Sequence, residues 1–206
     1  HMGSYKADIK ACIVIPVYKG ELSHNEEISL QQCLRILNQY DTYVIYPEGV
    51  KVDFGDKIKC IKVKSKYMAS RRSYSDYVLS SEFYDTFKAY DYMLLYQLDA
   101  FVFEDRLMEF CDLKYDYIGA PWIYGMECHV LGKQLLYVGN GGFSLRRIEA
   151  FRQWIHGHSC DVANEKMFLL EDQVIASYGS RYLNIAPVET ALKFAFNLNP
   201  VECYER

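Results

Sequence analysis

The chain is 206 residues long, carries a formal net charge of −4 and is 50% hydrophobic. This length suits one domain with a substantial core. The acidic balance argues against a nucleic-acid-binding protein, which usually presents a basic face, and no run of about 18 apolar residues predicts an integral membrane segment. We therefore expect a single domain over residues 5–206, preceded by residues 1–4, which look like an expression-tag remnant.

The first segment predicts a buried strand followed by a helix. Residues 11–17 (ACIVIPV) form a continuous apolar run that includes a proline near its end, a pattern typical of strands in parallel sheets. Ser23 and Glu26 then have the spacing of a helix capping box. Apolar residues recur with helical spacing as far as Tyr40, which predicts an amphipathic helix.

Strands and helices continue to alternate up to residue 97. Residues 42–47 and 92–97 predict buried strands, and the alternating residues 57–63 predict a half-exposed one. Residues 76–90 fit one or two helices. This order predicts an α/β fold with a mixed, mostly parallel sheet flanked by helices.

The second half of the chain is less regular. Residues 116–122 predict a short strand that ends in a Gly/Pro loop, and residues 135–147 predict two short strands around a glycine break. Residues 147–157 and 169–179 predict helices that stop at glycine, and residues 181–187 predict a late strand.

Asp99 interrupts the apolar stretch YQLDAFVFED at the end of a predicted strand. Ligands of parallel sheets bind outside the carboxyl ends of the strands, so Asp99 is expected at the rim of a crevice. It is either a helix N-cap or turn residue or a ligand of the divalent metal on a nucleoside diphosphate.

The stretch VGNGGFSLRR places Asn140 among glycines. Asn-Gly is a strong hairpin signal, which makes a turn the simpler interpretation. The flanking Gly139 and Gly142 favour a second one, a backbone surface that another group approaches closely.

Glu171 and Asp172 have two interpretations as well. Acidic residues stabilise the first turn of a helix through its dipole. A carboxylate held there at the crevice also suits a general base, which a hydroxyl group needs when it loses its proton on attack.

The seven cysteines form no CxxC pair, and several lie in apolar runs. Free cysteines of this kind behave as small hydrophobes. The pattern predicts a reducing compartment, the cytoplasm, with peripheral attachment to the inner face of the membrane and homo-oligomerisation left open.

Five segments together resemble the GT-A glycosyltransferases, and most closely the bacterial DUF5672-type family. They are IVIPVYKGELSHNEEISL, LLYQLDAFVF, YDYIGAPW, VGNGGFSLRR and LLEDQV. The resemblance runs from about residue 11 to residue 200. It implies a GT-A-like, Rossmann-like single domain that transfers a sugar from a nucleotide-sugar donor.

On the donor side, the resemblance implies that Pro16, Val17 and Tyr18 lie along the nucleotide base and ribose. Asp99 matches the last aspartate of the DxD-type motif, which holds Mn²⁺ or Mg²⁺ on the diphosphate. Gln97 stands where the broader motif has its first aspartate, and an amide can bind ribose or phosphate without charge.

For the chemical step, the resemblance implies that Asn140, Gly141 and Gly142 lie beside the donor sugar and the acceptor. Asp172 matches the catalytic base of inverting members, with Glu171 the alternative.

Three further side chains are candidates for supporting roles. Arg71 or Arg146 would stabilise charge on the leaving diphosphate, and Trp122 would stack on a sugar face.

The chain also lacks the late histidine that GT-A enzymes often supply to the metal. Either the chain is truncated at its C-terminus or the protein does without that ligand. We expect an inverting hexosyltransferase that uses a UDP-sugar and a glycan or glycoprotein acceptor. The alternative is a non-catalytic module of the same fold that binds a partner enzyme or a glycan.

Overall fold

The protein is described by a computed structural model covering residues 8–128 and 134–197. The strands are β1 (Ala11–Pro16), β2 (Asp41–Pro47), β3 (Ile58–Val63), β4 (Tyr92–Tyr96), β5 (Tyr117–Cys128) and β6 (Gln134–Arg147). They form one sheet in the order β3-β2-β1-β4-β6-β5. The pairs β2–β3, β1–β2 and β1–β4 are parallel, whereas β6 runs antiparallel to both β4 and β5.

The helices cover both faces of this sheet. They are α1 (His24–Ile36), α2 (Arg71–Tyr77), α3 (Ser81–Thr86), α4 (Leu107–Asp112), α5 (Ile148–Gly157), α6 (Ser159–Glu165), α7 (Glu171–Ala176) and α8 (Val188–Phe194), with 3-10 turns at Ser65–Met68 and Gly179–Arg181. Within the described residues, no helix is long and apolar enough to cross a membrane.

The core consists of two clusters, one on each face of the sheet. Alternate residues of a strand point to opposite faces, and in β1 Cys12 and Val14 join one cluster while Ile13 and Ile15 join the other. Helices α2, α3, α5 and α7 pack on the first face, and α1, α4 and α8 on the second. The predicted α/β fold with a mixed, mostly parallel sheet is therefore confirmed.

The local signals of the N-terminal half are also confirmed. Residues of β1 are buried without exception, and β3 is exposed at its centre. Helix α1 begins with the predicted capping box: Ser23 Oγ accepts from the Glu26 N–H at 3.3 Å, and the Glu26 carboxylate accepts from the Ser23 N–H at 2.7 Å.

Three predictions in the second half are wrong. The strand from Tyr117 does not end in a Gly/Pro loop but continues to Cys128, and β6 passes through Asn140 without a hairpin turn or a break. The register shifts beside Gly119 absorb the irregular residues inside the ladder instead. The late strand at residues 181–187 is reduced to a single bridge between Ile185 and Tyr117.

Several helices also differ in position or length from those predicted. The predicted helix over residues 169–179 is shorter, because α7 spans only Glu171–Ala176 and Gly179 opens a 3-10 turn. Helices α6 and α8 carried no clear sequence signal. Helix α2 begins at Arg71, earlier than predicted, with the Ser70 side chain accepting from the Ser73 N–H.

The α1 cap offers a direct stability test. We expect Ser23→Ala to lower the free energy of unfolding by about 1 kcal/mol, because the first turn loses its side-chain acceptor. Urea unfolding followed by circular dichroism measures the change. Ser159→Ala is the matched control, since α6 has no side-chain cap hydrogen bond; an equal loss in both variants would contradict the role of the cap.

Candidate functional site

A cavity of about 990 Å³ opens at the carboxyl ends of β1 and β4. Parallel sheets place their ligands at this edge because the loops that follow neighbouring strands converge there. Most of the predicted site residues line it: Tyr18, Arg71, Gln97, Asp99, Asn140, Gly141, Gly142, Glu171 and Asp172. Side chains from five separate segments thus meet where the sequence predicted a crevice.

Four predicted residues do not line the cavity. Pro16 and Val17 are buried at the end of β1, so Tyr18 is the only one of these three consecutive residues that lines the cavity. Trp122 is 3% exposed and packs against Gly139, which leaves no ring face for stacking on a sugar. Arg146 is fully buried and cannot reach a diphosphate. The expected roles of Trp122 and Arg146 are therefore wrong.

Arg146 instead forms a buried ion pair with Glu171. The guanidinium Nη2 lies 3.2 Å from Glu171 Oε1, and the two side chains are 0% and 10% exposed. Further hydrogen bonds run from Arg146 to the Tyr84 hydroxyl at 2.9 Å and to Ser144 Oγ at 3.0 Å. The arginine thereby holds the first residue of α7 against the middle of β6, and the Glu171 carboxylate is occupied by this ion pair.

The glycines of β6 make this contact possible. A Cβ added to Gly141 would overlap the Glu171 carboxylate, and one added to Gly142 would lie 2.9 Å from Gln97 Oε1. Neither glycine has a positive φ. Two side chains of the protein itself approach the strand closely at these glycines, so the hairpin interpretation is wrong. Close approach by a ligand stays a prediction.

Asp172 follows Glu171 and faces the cavity. Burial, and then the nearby charge of Glu171, raise the pKa of Asp172 to about 7. The Gln173 N–H donates to its Oδ1 at 2.9 Å, and Arg71 across the cavity opposes part of the rise. A carboxyl group with a pKa near neutrality can accept a proton from a substrate at physiological pH.

Helix α2 holds α7 in place. The backbone N–H of Glu171 donates to the buried Ser75 Oγ at 2.7 Å. Arg72 Nη1 donates to the carbonyl oxygens of Lys166 and Leu169 at 2.7 and 2.5 Å, which fixes the loop that leads into α7. Sequence reasoning missed both residues, because a serine and an arginine in a polar helix carry no signal for long-range contacts.

Asp99 and Gln97, which follow β4, line another part of the cavity. Asp99 is exposed and makes no hydrogen bond or ion pair within residues 8–128 and 134–197. The Gln97 backbone N–H donates to the Gly142 carbonyl at 2.8 Å, and its Nε2 approaches the Tyr74 hydroxyl at 3.5 Å. Gln97 is thus anchored to β6, whereas the Asp99 carboxylate is exposed at the cavity.

These groups fit one kind of metal site. The described residues contain no cluster of three or more His, Cys, Asp or Glu side chains able to hold a metal by themselves. Mg²⁺ and Mn²⁺ in nucleotide sites need only one or two carboxylates when phosphate oxygens and water complete the shell. The unpaired Asp99 beside the Gln97 amide fits such an ion, provided that it arrives with a diphosphate.

The opposite part of the cavity is apolar, which the sequence did not predict. We call it the phenylalanine wall; it consists of Phe101, Phe103, Phe110, Phe143, Phe194 and Phe196. Three pairs of its rings are in contact: Phe101–Phe103 and Phe110–Phe194 edge-on, the latter with centroids 5.2 Å apart, and Phe143–Phe194 tilted. Phe194 and Phe196 come from the chain at and after α8, a helix that sequence patterns did not reveal.

Comparison with protein families identifies one match. A family model described as a protein of unknown function, DUF5672, matches residues 57–206, well over half of the chain. No curated protein sequence matches.

Solved structures show the same fold at low sequence identity. Core-mannan synthase A from Aspergillus fumigatus, in its Mn/GDP form, has a TM-score of 0.58 at 11% identity over 89% of this chain and 73% of that chain. The galactosyltransferase LgtC, in complex with donor and acceptor sugar analogues, has a TM-score of 0.55 at 13% identity over 92% of this chain and 80% of that chain. The 2-C-methyl-D-erythritol 4-phosphate cytidylyltransferase from Thermus thermophilus has a TM-score of 0.51 at 13% identity over 96% of this chain and 97% of that chain. These likenesses confirm the GT-A-like fold.

The buried ion pair predicts that replacing one partner lowers the free energy of unfolding more than replacing both. We expect Arg146→Met to lower the free energy of unfolding by about 3–5 kcal/mol, because the Glu171 carboxylate stays buried without its partner. Arg146→Met combined with Glu171→Leu should recover much of that loss, since no charge is left unpaired. Guanidinium unfolding measures both; a double variant less stable than Arg146→Met would contradict the pairing.

Proposed function

The chain belongs to the DUF5672 family, and we propose that it is an inverting glycosyltransferase that moves a sugar from a nucleotide-sugar donor to a hydroxyl group of a glycan or glycoprotein. UDP is the expected carrier of the donor hexose. The observation that carries this proposal is Asp172, a cavity carboxyl whose pKa is raised to about 7. Such a group is suited to take a proton from the attacking acceptor.

Asp172 serves as the general base in this proposal. In a single displacement the acceptor oxygen attacks the anomeric carbon, the bond to the diphosphate breaks, and the acceptor proton passes to the carboxylate. Glu171, the alternative base, is occupied by Arg146 and acts as a positioning residue. Its charge also contributes to the raised pKa of Asp172.

The donor is held at the other polar groups of the cavity. Arg71 makes no hydrogen bond or ion pair with the described part of the chain, so its guanidinium is available to a phosphate group. Tyr18, 45% exposed and edge-on to Tyr74 at 5.8 Å, offers a ring to the nucleoside. Asp99, with Gln97, would hold Mn²⁺ or Mg²⁺ on the diphosphate. The ion would neutralise the charge that develops on the leaving group.

Asn140 and the two glycines after it fit the donor sugar. The Gly142 N–H donates to Asn140 Oδ1 at 3.1 Å, which orients the amide and leaves its NH₂ group to donate to a sugar hydroxyl. Gly141 and Gly142 also line the cavity, and they admit the Glu171 and Gln97 side chains that border the sugar site in this proposal.

The cysteines support a cytoplasmic location as part of the proposal. Cys12, Cys33 and Cys111 are buried free thiols. Burial raises the pKa of Cys33 to about 12, so the unreactive thiol form predominates. Thiols of this kind persist in a reducing compartment.

A non-catalytic module is the second candidate, and Gln97 is the observation that favours it. The uncharged amide weakens a metal site that has two carboxylates in the broader motif. A panel of UDP- and GDP-sugars, tested by thermal shift with and without Mn²⁺, identifies the donor. Release of the nucleoside diphosphate from the donor that binds then separates an enzyme from a module, which releases none.

Asp172→Asn tests the base. We expect kcat to fall by about 100- to 10,000-fold, because the amide cannot accept the acceptor proton. In the wild type, kcat/KM should rise with pH up to about 7 and level off above it, since the deprotonated form is active.

The control for this variant is Asp112→Asn, an exposed residue outside the cavity, which should behave as the wild type. Stability separates loss of the base from loss of the fold. A raised native pKa makes the wild type lose stability as pH rises from about 4 to about 7. Asp172→Asn should therefore melt at a higher temperature than the wild type at pH 8. Full transfer by Asp172→Asn would refute the assignment.

Asp99→Asn tests the metal site. We expect the stabilisation of donor-bound protein by Mn²⁺, measured as a thermal shift, to fall to the background level, because the amide cannot donate a charged oxygen to the ion. Donor binding without metal should persist through Arg71 and Tyr18. An unchanged Mn²⁺ dependence would exclude Asp99 as the ligand.

A further inference from the structure

The phenylalanine wall is unusual in its exposure. Phe103, Phe101 and Phe196 are 74%, 45% and 48% exposed, although they line the same cavity as Asp172. Exposed apolar side chains that line one cavity commonly mark a binding site. The proposed donor is rich in phosphate and hydroxyl groups, which gain no hydrogen bonds from an apolar surface.

The wall and the polar groups approach the cavity from opposite faces of the sheet. Arg71, Glu171 and Asp172 come from α2 and α7, which pack on the first core cluster, and Phe110 and Phe194 come from α4 and α8, which pack on the second. Asp99 also lines the cavity, two residues before Phe101 in the loop after β4. A ligand that reaches both parts must be polar at one end and apolar at the other.

The chemistry of the wall favours an uncharged, apolar group. A phenyl ring has no polar tip, so a glycan pressed against it would lose hydrogen bonds to water without replacement. The charged side chains beside the wall balance one another: Arg106 pairs with Glu104 at 3.7 Å and with Glu109 at 2.5 Å, and Lys193 also lies near Glu109. The carboxylates of Asp99 and Asp105 are left over, so no excess positive charge remains there to recruit an anionic group.

We propose that the phenylalanine wall binds the apolar aglycone of the sugar acceptor, so that the acceptor is a glycan attached to a lipid or alkyl chain. This inference rests on the proposed function, because Asp172 must receive the proton of the acceptor hydroxyl. The sugar then lies toward Asp172 and Asn140, and the chain extends past Asp99 along Phe101, Phe103 and Phe196.

Paired alkyl glycosides test the proposal. KM is measured for methyl and octyl glycosides of the same sugars, below the micelle concentration, with the donor found by thermal shift. The wild type should show a KM at least about tenfold lower for the octyl compound, since each buried methylene group favours binding. Phe103→Ser should bring the ratio of the two KM values close to one.

Phe168→Ser is the matched control, because Phe168 is 66% exposed but does not line the cavity, and it should retain the wild-type ratio. Equal KM values for methyl and octyl acceptors in the wild type would overturn the proposal.

Calorimetric titration with octyl glycoside keeps this result separate from the proposed function. If no donor is transferred or hydrolysed, the proposed glycosyltransferase activity fails. Binding of octyl glycoside that is lost in Phe103→Ser and kept in Phe168→Ser would then still support the wall as an apolar ligand site. Absence of binding to the wild type would overturn it.

Discussion

The buried pair of Arg146 and Glu171 is the interaction on which the cavity depends. An arginine without solvent contact must be matched by acceptors, and the Glu171 carboxylate, the Tyr84 hydroxyl and Ser144 Oγ supply them. The pair ties α7 to the centre of β6. Because Asp172 is the next residue, its position in the cavity and its raised pKa both follow from this attachment.

The same constraint explains the composition of β6. Glu171 reaches Arg146 only by passing over Gly141, where any side chain would overlap its carboxylate. Gln97 passes over Gly142 in the same way, and its backbone bonds to the Gly142 carbonyl. The glycine run therefore admits two cavity-lining side chains, so that β6, the start of α7 and the end of β4 are directly connected at the proposed site.

The two faces of the sheet contribute different groups to the proposed reaction. Helices α2 and α7 contribute the charged groups suited to phosphate binding and proton transfer, while α4 and α8 contribute the phenylalanine wall. The edge between them, where Asp99 follows β4, is the place at which a donor and an amphipathic acceptor would meet. Holding both reactants at one edge supplies the orientation that a displacement requires.

The sequence by itself determined the α/β class with its mostly parallel sheet, the α1 capping box and the position of Tyr18 and Asp99 at the carboxyl ends of strands, because strand patterns and caps are local signals. The expectation that Asn140 and Asp172 lie in the same crevice came from the resemblance to the GT-A family. Tertiary structure alone decided that Arg146 pairs with Glu171, that Trp122 lies in the core and that β6 runs through its glycines. It also decided that α8 completes an apolar wall. Each of these depends on contacts between residues distant in the chain, and burial and pairing at that range leave no mark in local periodicity.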